Sequence, residues 1–304
     1  MFVGLSLTHS KTAAMILITG ATGSLGGNVI KHLLNKGEKA EHVAALTRDS
    51  EGALGLPDTG VEGRVADYTD YESLVRAFRG VDKLLLISSN DKKIENRTAH
   101  HLSAVKAARE AGVQHMVYTS FVRNPVAHSA IAAFQESHVR TERAIKDSGL
   151  DYTILQNGIY LEMIPIFAGE KVAETGIIRL PAQEGKASWV LREELAEAAA
   201  HVLTTKGHAN QTYTLTNVES TSFGNIAQEL SSVLGKDVAY QSPTVEEFRA
   251  TLEEVDVPDL YVGLFTTWAT AQAQGELDVK DDTLMSFLGR KPTTTRQFIQ
   301  QVYG

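Results

Sequence analysis

Short apolar runs alternate along this chain with longer stretches whose apolar residues recur every three or four positions, the marks of buried strands and amphipathic helices. The runs Ile16–Thr19, His42–Thr47, Val61–Ala66, Asp82–Ser89, His115–Ser120 and Asp151–Gln156 read as strands, the third being the weakest. Helical spacing fills the intervals at Asn28–Gly37, Tyr71–Phe78, His100–Ala111 and Ser129–Ser148, and Gly37, Gly80, Gly112 and Gly149 close them. The run Asp82–Ser89 is nearly continuous in leucine and isoleucine, as a strand covered on both faces requires. Strand and helix in regular alternation predict an α/β protein built on a doubly wound parallel sheet.

Past Gly158 the pattern loosens and predicts a second, smaller C-terminal domain. Ile159–Val172 reads as a helix interrupted by Pro165, and Gly176–Leu180 as a short strand. Trp189–Leu203 is a helix after an extended entry, and Thr212–Leu215 returns to the main sheet as an edge strand. Ser222–Leu234 and Thr244–Val255 are amphipathic helices around a strand at Val238–Tyr240. The aromatic stripe Asp259–Gln274 reads as half-buried core rather than a ligand box. These elements divide the chain into a sheet domain over 15–157, rejoined by 188–217, and a smaller substrate-side domain from 158–187 and 218–304. Residues 1–14 lack the basic start of a signal peptide and are expected to be a loose, dispensable extension.

The first strand carries the chemistry. M-I-L-I-T-G-A-T-G-S-L-G (Met15–Gly26) turns straight from strand into helix, where unpaired backbone N–H groups and the positive helix end suit a pyrophosphate. Gly20 permits the tight turn, Gly23 lets phosphate approach the backbone, and Gly26 lets the helix pack on the strand. Ligands of such sheets lie at the carboxyl ends of strands, which here carry Ser88, Ser89, Thr119, Ser120, Asn157 and Gly158. Arg48 ends the second strand, where arginine suits the 2′-phosphate of NADP and an acid would suit NAD; Asp49 beside it weakens the contrast.

Composition narrows the partners. The net charge of −8 offers no basic face for nucleic acid, and no run approaches the ~18 apolar residues that cross a membrane. The chain has no cysteine, which excludes disulfides, thiolate metal sites and a cysteine nucleophile and suits a reducing cytoplasm. No metal site is expected, and a homodimer is compatible with the sequence.

G-A-T-G-S-L-G (Gly20–Gly26), L-L-L-I-S-S (Leu84–Ser89), V-Y-T-S (Val117–Ser120), Y-T-I-L-Q-N-G-I-Y (Tyr152–Tyr160) and P-T-T-T (Pro292–Thr295) resemble the NmrA-like atypical short-chain dehydrogenases/reductases. The resemblance runs from Met15 to the end and lies nearest the members that reduce quinones and dyes. It implies a Rossmann-like domain and hydride transfer from NADPH to a quinone or similar electron-poor aromatic acceptor. It also implies a phosphate loop of Gly20, Thr22, Gly23, Ser24, Leu25 and Gly26, with Arg48 at the 2′-phosphate. Asp67, Ser88, Ser89, Thr119 and Ser120 then border the cofactor, and Asn157, Gly158 and Tyr160 approach the nicotinamide.

The sequence departs from the wider superfamily at its Tyr-x-x-x-Lys proton-donor pair, which reads Phe134-x-x-x-His138 here. Phenylalanine donates no proton, and histidine is no permanent cation, leaving His138 to hold the cofactor ribose or the helix. Ser120 stands where the superfamily places a carbonyl-orienting serine, and Tyr118 and Tyr152 read as packed in the sheet. A hydroquinone anion is far less basic than an alkoxide, so a quinone can be reduced without the tyrosine; the enzyme supplies proximity and orientation. The expected acceptor wall is Phe121, Tyr160, Phe167 and Trp189. The rival reading is a non-catalytic NADP-binding redox sensor, which the missing pair also permits.

Overall fold

The computed structural model describes residues 14–48 and 59–304. Asp49 and, Ala14 aside, the N-terminal extension lie outside the described residues. Along the first part the elements run β1 (Ile16–Ile18), α1 (Ser24–Asn35), β2 (Val43–Thr47), β3 (Glu62–Val65), α2 (Tyr71–Phe78), β4 (Lys83–Leu86), α3 (Ile94–Ala111), β5 (His115–Phe121), α4 (Ala132–Asp147) and β6 (Asp151–Asn157). The later part comprises α5 (Ile164–Ala168), α6 (Val172–Thr175), β7 (Ile177–Arg179), β8 (Lys186–Ala187), α7 (Arg192–Thr204), β9 (Gln211–Leu215) and β10 (Thr221–Ser222). It ends with α8 (Phe223–Leu234), β11 (Ala239–Gln241), α9 (Val245–Glu253), α10 (Asp259–Ala273), α11 (Thr283–Leu288) and α12 (Thr295–Tyr303).

The central sheet has seven strands in the order β3-β2-β1-β4-β5-β6-β9, with every pairing parallel. The inner strands β1, β2, β4 and β5 are largely buried because helices cover both faces, whereas the edge strands β3 and β9 are mostly polar. Side chains alternate between those faces. Ile16, Ile18, Leu85, Val117 and Leu155 meet Val29, Leu33 and Leu195 of α1 and α7. Leu17, Leu84, Leu86, Met116 and Ile154 meet Leu74, Phe78, Val105 and Ile145 of α2, α3 and α4. The chain reverses direction across the sheet between β1 and β4, and β1 ends there in the glycine loop.

A second apolar cluster gathers Phe167, Ile178, Trp189, Phe223, Leu230, Phe248 and Phe298 beyond the carboxyl edge, with Phe121 at the tip of β5 joining it. Two small pairings brace it, β7 parallel to β11 and β8 antiparallel to β10. Element boundaries differ from expectation in three instructive places. The helix α3 begins at Ile94, six residues ahead of the expected start; its first turns bury Arg97 and Thr98, so no apolar periodicity marks them. The expected helix Ile159–Val172 is broken: Pro165 sits in the first turn of α5, and Gly169 at φ 91° ends it. The segment Thr283–Leu288, expected in the smaller domain, instead packs Leu284, Phe287 and Leu288 onto α7 and β9.

The P-T-T-T segment proves to be structural. Thr293 donates its backbone N–H and hydroxyl to the buried Glu194 carboxylate, at 2.9 and 3.0 Å, and Arg290 adds a 3.1 Å contact. Thr294 then caps α12 through a reciprocal pair with Gln297. A second buried carboxylate, Glu276, accepts from the Ser129 hydroxyl at 2.5 Å and the Ala130 N–H at 2.6 Å. Asn124 reaches the neighbouring Gly275 carbonyl at 2.9 Å. This latch fixes the loop that leads into α4.

Glu276→Ala leaves those donors without a charged acceptor, and is expected to cost about 1.5–3 kcal/mol. Urea unfolding measures it; an unchanged midpoint would mean the latch adds nothing to the fold.

Candidate functional site

The carboxyl edge of the sheet sets the polar strand ends in one row. Sheet order places them as Asp67, Arg48, Gly20, Ser88, Thr119 and Asn157, with Thr216 following β9. At its centre Gly20 takes φ 59°, and its carbonyl accepts the Gly23 N–H at 3.0 Å. A Cβ on Gly26 would run into the Gly20 carbonyl, so only glycine lets α1 start so close to β1. Gly23 caps α1 without a side-chain hydrogen bond, and the first turn holds no acid. That leaves helix N–H groups and dipole open to an anion. A depression of about 650 Å³ runs from Thr22, Gly23 and Ser24 along Asn28 and Lys31 to Thr59. Leu25 turns partly inward against the α1 face of the core.

Side chains rather than solvent tie down the tips of β4. Ile87 N–H donates to the Thr19 hydroxyl at 2.8 Å and Ser88 N–H to the Thr119 hydroxyl at 2.9 Å. Ser89 N–H donates to His101 Nε2 at 2.8 Å, and Ser88 and Ser89 stay half-exposed. On the opposite flank Arg48 is exposed, with Asp67 within its electrostatic reach. Hydrogen bonds from Thr69 hold the Asp67 carboxyl below its ordinary value, with the Arg48 charge adding to them.

Ser120 does not face the row as a free hydroxyl. It donates to the buried Glu142 carboxylate at 2.5 Å, which Arg123 grips through two 2.8 Å contacts. The carbonyl-orienting role open to it in sequence is therefore closed by its own partner. His138 departs from expectation likewise. It is 1% exposed and has both ring nitrogens engaged, so no nitrogen is left for a cofactor ribose.

The partners of His138 form a buried polar chain between β5, α3 and α4. Arg97 donates to His138 Nε2 at 2.7 Å, and His138 Nδ1 lies 2.8 Å from the Tyr118 hydroxyl. His101 Nδ1 lies 3.3 Å from that hydroxyl and 3.0 Å from the Thr141 hydroxyl. Arginine and a backbone N–H only donate, so each histidine accepts through Nε2 and carries its proton on Nδ1. Both imidazoles are neutral: burial, then the Arg97 charge, pushes His101 down to about 3 and His138 well below its ordinary value. Burial pushes the Tyr118 hydroxyl up, out of reach of ionisation at neutral pH.

The nicotinamide-side expectations fall together after β6. Asn157 is 2% exposed with its Oδ1 unpartnered, and the Ser188 and Thr216 hydroxyls are also buried without partners. Gly158 fits between the last two: a Cβ there would stand 3.0 Å from the Ser188 carbonyl and 3.2 Å from Thr216 Cγ2. Tyr160 is half-buried, and Arg192 lies 4.2 Å from its ring centre while pairing with Glu162. Burial raises the Tyr160 hydroxyl above its ordinary value.

The aromatic expectations divide. Phe121 meets Phe134 at 5.2 Å and Trp268 at 5.5 Å, edge to face, and Phe134 meets Trp268 at 5.3 Å. Phe134 and Trp268 keep part of their surface open. Phe167 and Trp189 instead belong to the second core, 6% and 1% exposed, both packed on Phe223. Trp189 further donates its ring N–H to the Thr221 carbonyl at 3.3 Å. They are packed core residues, not an open wall. Trp268 sits in the stripe read as core, and Arg97 in an unremarked polar stretch; no pattern in the sequence separates either from ordinary helix residues.

Comparison with known proteins follows this geometry. The model of the NmrA-like family matches residues 12–299. Quinone oxidoreductase 2 of Escherichia coli is 33% identical over 290 residues, covering 95% of this chain and 99% of that protein. The crystal structure of the Escherichia coli NADPH-dependent quinone oxidoreductase with NADPH superposes with a TM-score of 0.88 at 33% identity, over 95% of this chain and 100% of that one. The Citrobacter sp. triphenylmethane reductase complexed with NADP(H) gives a TM-score of 0.87 at 38% identity, over 94% of this chain and 99% of that one.

The neutral histidines fix a pH dependence. Unfolded histidine binds a proton below about pH 6.5 and folded His101 only near 3, so the unfolded state gains protons in between. Stability therefore falls as pH drops through that window, by up to about 1.4 kcal/mol per pH unit for one such group. His101→Gln is expected to flatten the pH 4–6 limb of a urea-stability profile relative to the parent protein. Parallel profiles would show that His101 ionises equally in both states.

Proposed function

The chain belongs to the NmrA-like family, and we propose that it reduces a quinone or similarly electron-poor aromatic acceptor with NADPH, using no side-chain acid. The observation that carries this reading is the Phe134–His138 pair. Phe134 presents a ring where a proton donor would stand, and His138 is a neutral base locked between Arg97 and Tyr118. A carbonyl whose alkoxide must be protonated on the spot finds no donor there. A quinone needs none, because its reduced anion takes its proton from water.

The residues present fit the cofactor: the uncapped start of α1 and the glycine turn suit a pyrophosphate, and the open Asn157 Oδ1 suits an amide N–H. Gly20, Thr22, Gly23, Ser24, Leu25 and Gly26 would hold the pyrophosphate, and Arg48 and Asp67 the adenosine end. Ser88, Ser89, Thr119, Asn157, Gly158 and Tyr160 would border the nicotinamide end. Bound there, NADPH supplies two electrons and a proton as hydride. The chain itself contributes orientation: Asn157 and Tyr160 form one side of the acceptor space, and Phe134 and Trp268 form an aromatic side on which a flat ring stacks. The names of the quinone oxidoreductase and the triphenylmethane reductase agree with such an acceptor. The sheet portion with 188–217 forms the cofactor half and the second cluster the acceptor half in this reading.

Following NADPH absorbance against quinones, cationic dyes and simple aldehydes tests the proposal. Quinone or dye turnover without aldehyde turnover is expected. Aldehyde reduction would reveal a proton donor, and tight NADPH binding with no turnover on any acceptor would favour the sensor reading.

Two substitutions refine it. Arg48→Ala removes a charge-assisted contact of about 1.5–3 kcal/mol, so NADPH affinity should fall roughly tenfold or more with NADH little changed. Equal losses would mean Arg48 does not read the phosphate. Trp268→Ala should raise the quinone KM at unchanged NADPH affinity, whereas Trp189→Ala should cost about 3–5 kcal/mol of stability; the reverse pattern would put the wall at Trp189.

A further inference from the structure

Arg97 is a buried cation without an anion. It is 8% exposed, its Nε is buried and unpartnered, and among the described residues its charge meets no carboxylate. Its neighbours are Phe134, whose ring centre lies 4.5 Å from the guanidinium, neutral His138, Tyr118 and, within electrostatic reach, Tyr160. Burying an unpaired charge costs several kcal/mol, and a fold retains one where an anion arrives during function. The phosphate loop lies at β1 and α1, whereas the neighbours just named come from β5, α4 and the segment after β6. The anion it awaits is therefore at the acceptor end.

We propose that Arg97 binds the oxyanion formed on the acceptor when it is reduced. This rests on the acceptor reading above. In that reaction NADPH gives up two electrons and one proton and becomes NADP⁺, and the quinone ring becomes aromatic with one O–H and one phenolate oxygen. Water supplies the second proton after release. The charge on the acceptor grows as the electrons arrive, and a guanidinium already in place stabilises it without reorganisation. His138 keeps Arg97 in place: as a neutral acceptor it fixes one N–H and leaves the cationic charge uncancelled. The site thus selects acceptors whose reduced form is a delocalised phenolate-like anion.

A nitrophenol, whose ionised form absorbs in the visible, tests this on the NADP⁺-loaded protein without turnover. The protein is expected to bind the phenolate in preference to the phenol, displacing the ligand's ionisation to lower pH. Arg97→Met should weaken phenolate binding roughly tenfold or more and abolish the displacement, with NADP⁺ affinity unchanged and Arg97→Lys restoring part of it. Binding of the neutral phenol in preference by the wild-type protein, or an undiminished displacement in Arg97→Met, would overturn the proposal; the first needs no variant to fold. Phenolate binding without quinone turnover would sink the reductase reading while Arg97 stands, and turnover without the displacement would do the opposite.

Discussion

A parallel sheet covered on both faces can offer solvent only the ends of its strands. Here Leu17, Leu85 and Leu86 are fully buried, and β1 and β4 are each paired with a strand on both sides. Chemistry is confined to the carboxyl edge, and the order of strands across the sheet decides which polar residues become neighbours. The reversal between β1 and β4 puts the glycine turn at the middle of that edge. Arg48 and Asp67 fall to one side of it and Asn157 to the other. Much of what the molecule can bind follows from that ordering before any single side chain is considered.

The edge also has to be held rigid, and buried polar pairs do it. Thr19 and Thr119 receive the N–H groups of Ile87 and Ser88, so the tip of β4 is fixed from β1 and from β5. His101 extends the same support from α3 to Ser89. In a dry interior such chains are stable only when every member is satisfied. Three of the buried unpartnered atoms are accordingly informative: Asn157 Oδ1, Ser188 Oγ and Thr216 Oγ1 all border the bend at Gly158. Burial without a partner is costly enough that such groups point to a ligand or water that completes them.

Local signals in the sequence were enough for the sheet and the glycine loop, since both rest on residues close together in the chain. Strand runs such as Leu84–Leu86 are self-announcing, and Gly20, Gly23 and Gly26 are separated by a turn and a helix start. The proposed acceptor side was less legible because it is assembled from distant elements. Trp268 and Trp189 look alike in sequence, each an indole in an apolar stretch. One meets Phe134 across α10 and α4, and the other is sealed by Phe223 and tied to Thr221. Ser120 misled for a similar reason: its residue type suits catalysis, yet its hydroxyl is spent as a donor to Glu142, a helix away. His138 was read by spacing alone, and spacing does not reveal that Arg97 approaches from α3.

Phe134, His138 and Glu142 follow one another at four-residue steps on a single face of α4, and two arginines approach that face. At one end Glu142 cancels Arg123 through a two-pronged pair and fixes Ser120 as well. At the other end Arg97 meets a ring and a neutral imidazole and, among the described residues, no carboxylate. The asymmetry is maintained by the network itself. Burial and then the Arg97 charge, which would stand 2.7 Å from a second cation, keep His138 neutral, and a neutral His138 cannot screen Arg97. Tyr118 does not relieve the charge either, because burial holds its hydroxyl protonated. The positive charge therefore persists at the Phe134 end of the face, in a medium that screens it weakly. An aromatic ring gaining electron density there would experience a stronger field than in water. A superfamily site built on tyrosine and lysine delivers a proton and a charge from the same helix. In this chain the helix has given up both, and a charge alone returns from the neighbouring helix.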